Sequence, residues 1–220
     1  MANILTAGNS SNGGTAISTD TSGTLNIVTG SGSGANAITI DASQNVTTGA
    51  NLTVTGTLTA SGGVSGGIRS GTAVASTSGT SVEFTSLPTG LKRITVMFQG
   101  VSTSGTSNKQ VQIGSGSFTT SGYASSYVTF STSTLGAATF STGFPLYNIV
   151  AADNISGMLI LTLLTGNTWV ASANVATTGA NPFGASAGSI ALGGTLDRVR
   201  VTTVNGTDTF DAGNINILYE

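Results

Sequence analysis

Leu91-Lys92-Arg93-Ile94-Thr95-Val96-Met97-Phe98-Gln99-Gly100 carries the densest period-two pattern in the chain. Ile94, Val96 and Phe98 fall at alternate positions. A strand sends alternate side chains to opposite faces, so these three form an inner face and the run reads as a central strand. Lys92 shares that parity but stands at the strand start, where its amine can reach water. Upstream, Ser81-Val82-Glu83-Phe84-Thr85 leads into the turn Leu87-Pro88-Thr89-Gly90. Downstream, Lys109-Gln110-Val111-Gln112-Ile113-Gly114 alternates after a polar loop.

The same reading extends to the C-terminus. Residues 145–150 and 158–164 flank a turn at Asp153-Asn154, and the second run is apolar enough to be expected buried on both faces. Residues 167–173 follow Gly166 as a hairpin return, with Trp169 in the core. Residues 189–192, 199–204 and 215–219 complete the set, and Asn205-Gly206 has the composition of a hairpin turn. Residues 118–130 read either as a strand pair or as a long surface loop. No segment has a helical period. Eight to ten short strands separated by turn signals predict a β-sandwich of jelly-roll type over residues 69–220.

Residues 1–68 have a different chemistry. They hold no Lys, Arg, Pro or aromatic residue, and their only charges are Asp20 and Asp41. Short alternating runs stand out: Ala37-Ile38-Thr39-Ile40-Asp41, and Asn51-Leu52-Thr53-Val54-Thr55-Gly56-Thr57-Leu58-Thr59. Each offers a face of only two or three aliphatic side chains, too thin for a core in one copy. Identical chains wound about one axis would bury those faces and pair the strand edges. Residues 20–68 are therefore expected to form an extended, intertwined β fibre shaft, taken as homotrimeric. Ile38, Ile40, Leu52, Val54 and Leu58 would make its axis contacts. Residues 1–19 are left as an attachment segment.

Composition limits the chemistry. Of 220 residues, Gly contributes 32, and Cys and His are absent. That excludes disulfides, zinc held by thiolate or imidazole, and any triad with a histidine base. Six Lys plus Arg against eight Asp plus Glu give a net charge of −2, too little positive charge for a nucleic-acid binder. A membrane span needs about 20 apolar residues, and no run approaches that, so no membrane insertion is expected. The first residues lack the basic start of a secretory leader. Asp208 and Asp211 stand three apart and could form a hydrolytic pair or hold Ca²⁺, but aspartate is also common in turns for its local hydrogen bonds. No catalytic residue, metal ligand or cofactor is expected. Arg198 and Arg200 share one strand face and could pair with Asp197 or Glu83, and Arg200 is a further ligand-contact candidate. Tyr123 and Tyr127, set among Ser, Thr and Gly, are the candidate receptor-binding residues, since an aromatic plate with hydroxyls suits a sugar.

Residues 40–47 (Ile-Asp-Ala-Ser-Gln-Asn-Val-Thr) and 51–58 resemble the shaft repeats of tailed-bacteriophage fibre proteins. Residues 84–98 (Phe-Thr-Ser-Leu-Pro-Thr-Gly-Leu-Lys-Arg-Ile-Thr-Val-Met-Phe) and 100–107 resemble a C-terminal domain of phage tail and virion structural proteins. The resemblance spans roughly residues 35–115. It implies a homotrimeric virion fibre, bound through its N-terminus to another virion protein, with the C-terminal domain outward and directed at a host-surface glycan. Long tail fibres carry a sizeable attachment domain, whereas here fewer than about 20 residues precede the shaft. That departure admits a short tail fibre, a capsid-attached head fibre or a decoration protein. A polysaccharide-degrading enzyme is the third alternative, against which the scarcity of acidic residues counts.

Overall fold

The structure is a computed structural model that describes residues 25–28, 36–40, 43, 45–48, 67–130, 135–147, 150–151, 153–178 and 183–220. The chain divides into two compact units, residues 1–61 and 62–220. The change in composition at residue 69 lies just inside the second.

In the first unit, β1 (Leu25–Val28), β2 (Asn36–Ile40) and β3 (Val46–Thr48) form an antiparallel sheet in the order β1-β2-β3. The register sets Leu25 opposite Ile40, Ile27 opposite Ile38, and Ile40 opposite Val46. The strand register thus sets the aliphatic positions of the sequence alternation opposite one another. Leu52, Val54 and Leu58, like the segment 1–19, lie outside the described residues.

The second unit is all-β. Its described strands are β4 (Arg69–Ser70), β5 (Val74–Ala75), β6 (Ser81–Phe84), β7 (Arg93–Thr103), β8 (Lys109–Ser115), β9 (Ser117–Phe118), β10 (Ala124–Phe130), β11 (Leu135–Phe140), β12 (Phe144–Leu146), β13 (Ile155–Thr165), β14 (Thr168–Thr177), β15 (Phe183–Ala191), β16 (Arg198–Thr203) and β17 (Phe210–Tyr219). They build two antiparallel sheets. The larger runs β11-β10-β15-β14-β13-β7-β17-β4, with β5 also on β17, and the smaller runs β12-β8-β16-β6, with β9 on β8. The strand count exceeds the expected eight to ten because β11 falls in a stretch to which the sequence assigned no strand and β4, β5 and β9 are only two residues long. Segments that short have no readable period.

The core lies between the sheets. Ile94, Val96, Leu159, Leu161, Ile215 and Ile217 come from the large sheet, and Val111, Ile113, Val199 and Val201 from the small one, all at 0–1% exposure. Each such side chain contributes about 1.5–3 kcal/mol on burial. Trp169, at 2% exposure, is core as expected. The run 158–164 is not buried on both faces. Leu159 and Leu161 point inward, while Met158 and Leu164 are 46% and 65% exposed. The sheet is packed on one side only, and β13 obeys the alternation that this imposes.

Two turns divide in outcome. Gly166 does close a β13–β14 hairpin, with Thr165 opposite Thr168. Asn205-Gly206 does not close one. β16 belongs to the small sheet and β17 to the large, so this turn is an arch between layers. Asn205 holds the arch with its own side chain, whose Oδ1 accepts from the backbone N–H of Thr207 (3.1 Å) and Asp208 (3.2 Å).

At the centre of the large sheet, β13, β7 and β17 share a line of irregular register near Gly157, Gly100 and Gly213. At the other end of β7, Glu220 clamps the strand start. Its N–H donates to the Arg93 carbonyl (3.0 Å) and its carboxylate meets the Arg93 guanidinium at 2.7 Å. Next to it β17 carries β4, with Tyr219 opposite Arg69. A fragment of residues 67–220 is therefore expected to unfold as one cooperative β unit, whereas a fragment starting at residue 71 lacks β4 and should melt lower. Circular dichroism melts of the two compare them directly, and equal melting would deny β4 a role.

Candidate functional site

Tyr123 is a strut of the core and does not present its ring at the surface, contrary to the expectation for receptor binding. It is 4% exposed. Its hydroxyl accepts from the Ile113 N–H at 2.9 Å and donates to the Thr119 carbonyl at 3.1 Å. Its ring meets Phe144 edge-on, with centroids 5.0 Å apart. Burial pushes its pKa up to about 12, because the phenolate would lose its water. The ring is large enough to close the interior between β8 and the start of β10, and both of its ends are satisfied there.

Tyr127, on β10, stays half-buried. Its ring lies 5.5 Å from that of Phe140 and 5.2 Å from that of Tyr147. The two tyrosines thus sit in separate aromatic contacts rather than in one site. Beside Tyr127, over β10, β11 and β15, a broad depression of about 630 Å³ is lined mainly by Ala, Ser and Thr side chains and offers no charged group.

A polar cleft of about 280 Å³ lies instead on the outer face of the small sheet. Its origin is the alternation of β8. Val111 and Ile113 fill the core, which turns Gln110 and Gln112 to the other side. The β16–β8 register then places Arg200 opposite Gln112 and Thr202 opposite Gln110. The β16–β6 register adds Ser81 opposite Thr202 and Glu83 opposite Arg200.

Both glutamines face outward, yet they are 2% and 3% exposed. The segment between β11 and β12 covers them and ties them down. Gln112 Nε2 donates to the Thr142 carbonyl (2.7 Å), and the Thr142 hydroxyl donates to Gln110 Oε1 (2.9 Å). Gln110 Nε2 donates to the Thr203 carbonyl at 3.3 Å. Gly143 permits this approach, since a Cβ there would fall 2.6 Å from Gln110 Oε1.

Arg200 is held as firmly. Its Nε and Nη2 both donate to Gln112 Oε1, at 3.0 and 2.5 Å. Its guanidinium lies over the Phe118 ring, 4.4 Å from the centroid. Glu83 stands 3.8 Å from Nη1, and the side chains of Arg200 and Glu83 are 23% and 41% exposed. Arg198 takes the other expected pairing, bonding Asp197 at 2.8 and 3.1 Å. Hydrogen bonding to Arg198 holds the Asp197 carboxyl below its usual range. The lining of the cleft contains hydroxyls, amides, the Val204 side chain and one guanidinium. Two carboxylates border it: Glu83 accepts from the Ser81 hydroxyl (3.1 Å) and Asp208 from Asn205 Nδ2 (2.6 Å).

The aspartates singled out by spacing serve the turns. Asp208 accepts from the Ser107 N–H (3.0 Å) and from Asn205 Nδ2 (2.6 Å), and Asp211 accepts from the Ser102 hydroxyl. Among the described residues, no group of three or more acidic side chains is placed to hold a metal ion. Sequence reasoning missed Gln110, Gln112 and Thr142. The glutamines read only as the polar half of a strand, and the register that sets them against Arg200 is a property of the fold.

Lys109, one residue before Gln110, points into the opposite side of β8 and is 0% exposed. Burial lowers its pKa to about 8, against the opposing pull of Asp153, Asp211 and Asp208 in that order. Asp153 is itself 2% exposed and accepts from the Val150 N–H at 3.3 Å.

The chain matches no protein-family model, no curated protein and no solved structure.

Proposed function

We propose that this chain is a non-enzymatic structural component of a phage virion, a short homotrimeric tail fibre that contributes to attachment at the host surface. One observation carries the reading: the division into a small N-terminal unit of short strands and a larger β-sandwich unit. The register of its three-stranded sheet sets aliphatic positions opposite one another, and Val46 is 63% exposed in the single chain. Side chains of this kind gain free energy by packing against further copies. The resemblance of residues 35–115 to fibre and virion proteins supports the same assignment. In this reading the first residues join another virion protein, and the sandwich, with its mainly polar cleft, faces a surface polysaccharide.

The test has two parts. Light scattering of the full chain is expected to return three times 21.6 kDa. Ile38→Asp combined with Ile40→Asp is expected to lower the dissociation temperature of that trimer, since a buried charge is placed in every copy. A monomeric wild type would end the fibre reading. A label on intact virions is expected at the tail. Label over the capsid would reassign the chain to a head fibre or decoration protein, with the same fold.

A further inference from the structure

We propose that the cleft on the outer face of the small sheet binds a carboxylate-bearing saccharide, with the Arg200 guanidinium receiving the carboxylate and the Gln110–Gln112–Thr142 floor reading the adjacent hydroxyls. The proposal rests on the attachment reading and names the ligand class of its receptor site.

Three features of the cleft lead to that ligand. The first is preorganisation. Arg200 is fixed from below by Gln112 and from the side by Phe118, so little side-chain freedom is lost when a ligand arrives. Bonds to a charged partner from such a group are short and strong.

The second feature is polarity of a particular sign. The lining carries one guanidinium, and the carboxylates that border the cleft, Glu83 and Asp208, are bonded at its rim by Ser81 and Asn205. Among the described residues, Nη1 of Arg200 meets Glu83 at 3.8 Å, a long and partly exposed contact of the kind that is weak. A ligand carboxylate displaces that contact at small cost. A neutral sugar gains nothing equivalent.

The third feature is the floor. Gln110 and Gln112 are polar side chains buried below 4% exposure in a surface cleft. Each amide nitrogen has two hydrogens, of which one is committed to the backbone of Thr203 or Thr142. The two amides are thereby held in fixed orientations beneath the cleft. Ser81 and Thr120 add hydroxyls at the rim. Donors at fixed positions around one cation match a ring bearing one acid group and several hydroxyls.

Titration of the full-length protein with a uronic-acid oligosaccharide, followed by isothermal calorimetry, tests this. A neutral oligosaccharide of the same length and sodium acetate are the comparison ligands. The acidic oligosaccharide is expected to bind at least tenfold more tightly than either. Arg200→Gln is expected to remove that preference, leaving the acidic and neutral sugars equal. Arg93→Gln, a cation paired with Glu220 away from the cleft, is expected to leave it intact. A melt of each variant checks that it is folded, and Arg200→Lys, which keeps the charge without the fork, should retain part of the preference. Equal binding of acidic and neutral sugars by wild type would overturn the proposal, as would an acid preference untouched by Arg200→Gln. Tight binding of acetate alone would reduce the site to a carboxylate pocket with no saccharide reading. A trimer on the virion that binds no uronate fails the cleft alone, whereas a monomer that binds it fails the fibre reading alone.

Discussion

Lys109→Met is expected to raise the unfolding free energy at neutral pH by up to about 3 kcal/mol, because burying the charged amine costs more than its counter-charges return. The amine and the Asp153 carboxylate are both almost wholly enclosed, and Asp153 is the strongest of the charges acting on Lys109. With the lysine gone, the carboxylate keeps its bond from the Val150 N–H but loses that opposing charge, which takes back part of the gain. Adding Asp153→Asn is expected to restore it, because asparagine still accepts from Val150 and needs no counter-charge. Urea denaturation of the two single variants and the double variant measures the coupling. A Lys109→Met variant clearly less stable than wild type would show that the counter-charges outweigh the cost of burying the amine.

The same lysine predicts how stability follows pH. Its ordinary value of 10.5 applies to the unfolded chain, and the folded value is about 8. Between those limits the unfolded chain holds a proton that the folded chain has released. Stability therefore rises as pH increases from about 8 to 10.5. Tyr123 acts in the opposite sense. Its folded value of about 12 exceeds the ordinary 10.0, so its contribution is lost as pH climbs through that interval. For these two groups together the maximum falls near pH 10. In Lys109→Met the rising limb should vanish and only the fall above pH 10 should remain.

Gly213→Ala is expected to cost about 2–5 kcal/mol. Gly213 has φ +94° in β17, a conformation in which an alanine pays about 1–2 kcal/mol. The added Cβ would also fall on the carbonyl oxygen of Gly100 in β7, which is backbone and cannot swing aside. Overpacking of that kind adds about 1–3 kcal/mol. Gly90→Ala is the comparison, since Gly90 has φ +85° with nothing near its Cβ position, and it should show only the conformational part. If both variants lost equal stability, the close approach of the two strands would carry no weight.

What the sequence made legible follows the length of its signals. β7 was evident because Ile94, Val96 and Phe98 keep one parity through a long run, and the structure buries all three. Trp169 and the Gly166 hairpin were evident for similar reasons. The two-sided burial expected of 158–164 failed because apolar content cannot distinguish a strand covered on both faces from one whose outer face is left open. Asn205-Gly206 failed because the dipeptide specifies a tight turn and not which strands it joins. Tyr123 was misplaced for a related reason: Gly, Ser and Thr neighbours suggested a surface, whereas its ring passes beneath them to reach Phe144 and Ile113. The cleft was out of reach altogether. It depends on aligning β8 with β16, which lie about 90 residues apart in the chain, and on a covering segment from a third place.

The position of β17 in the large sheet has a consequence for biosynthesis. β7 is bordered on one side by β13 and on the other by β17, and among the described strands β4 pairs with β17 alone. Until residues 210–219 have left the ribosome, one long edge of β7 is open and β4 has nothing to join. An exposed edge of this kind recruits other chains as readily as its own. Folding of the sandwich is thereby deferred until β17 has been made, and pairing over such separations is slow. Nascent chains on one message, each waiting with an open β7, would be at risk of pairing with one another. Arrival of β17 closes that edge, and Glu220 then locks the beginning of β7 through both backbone and side chain.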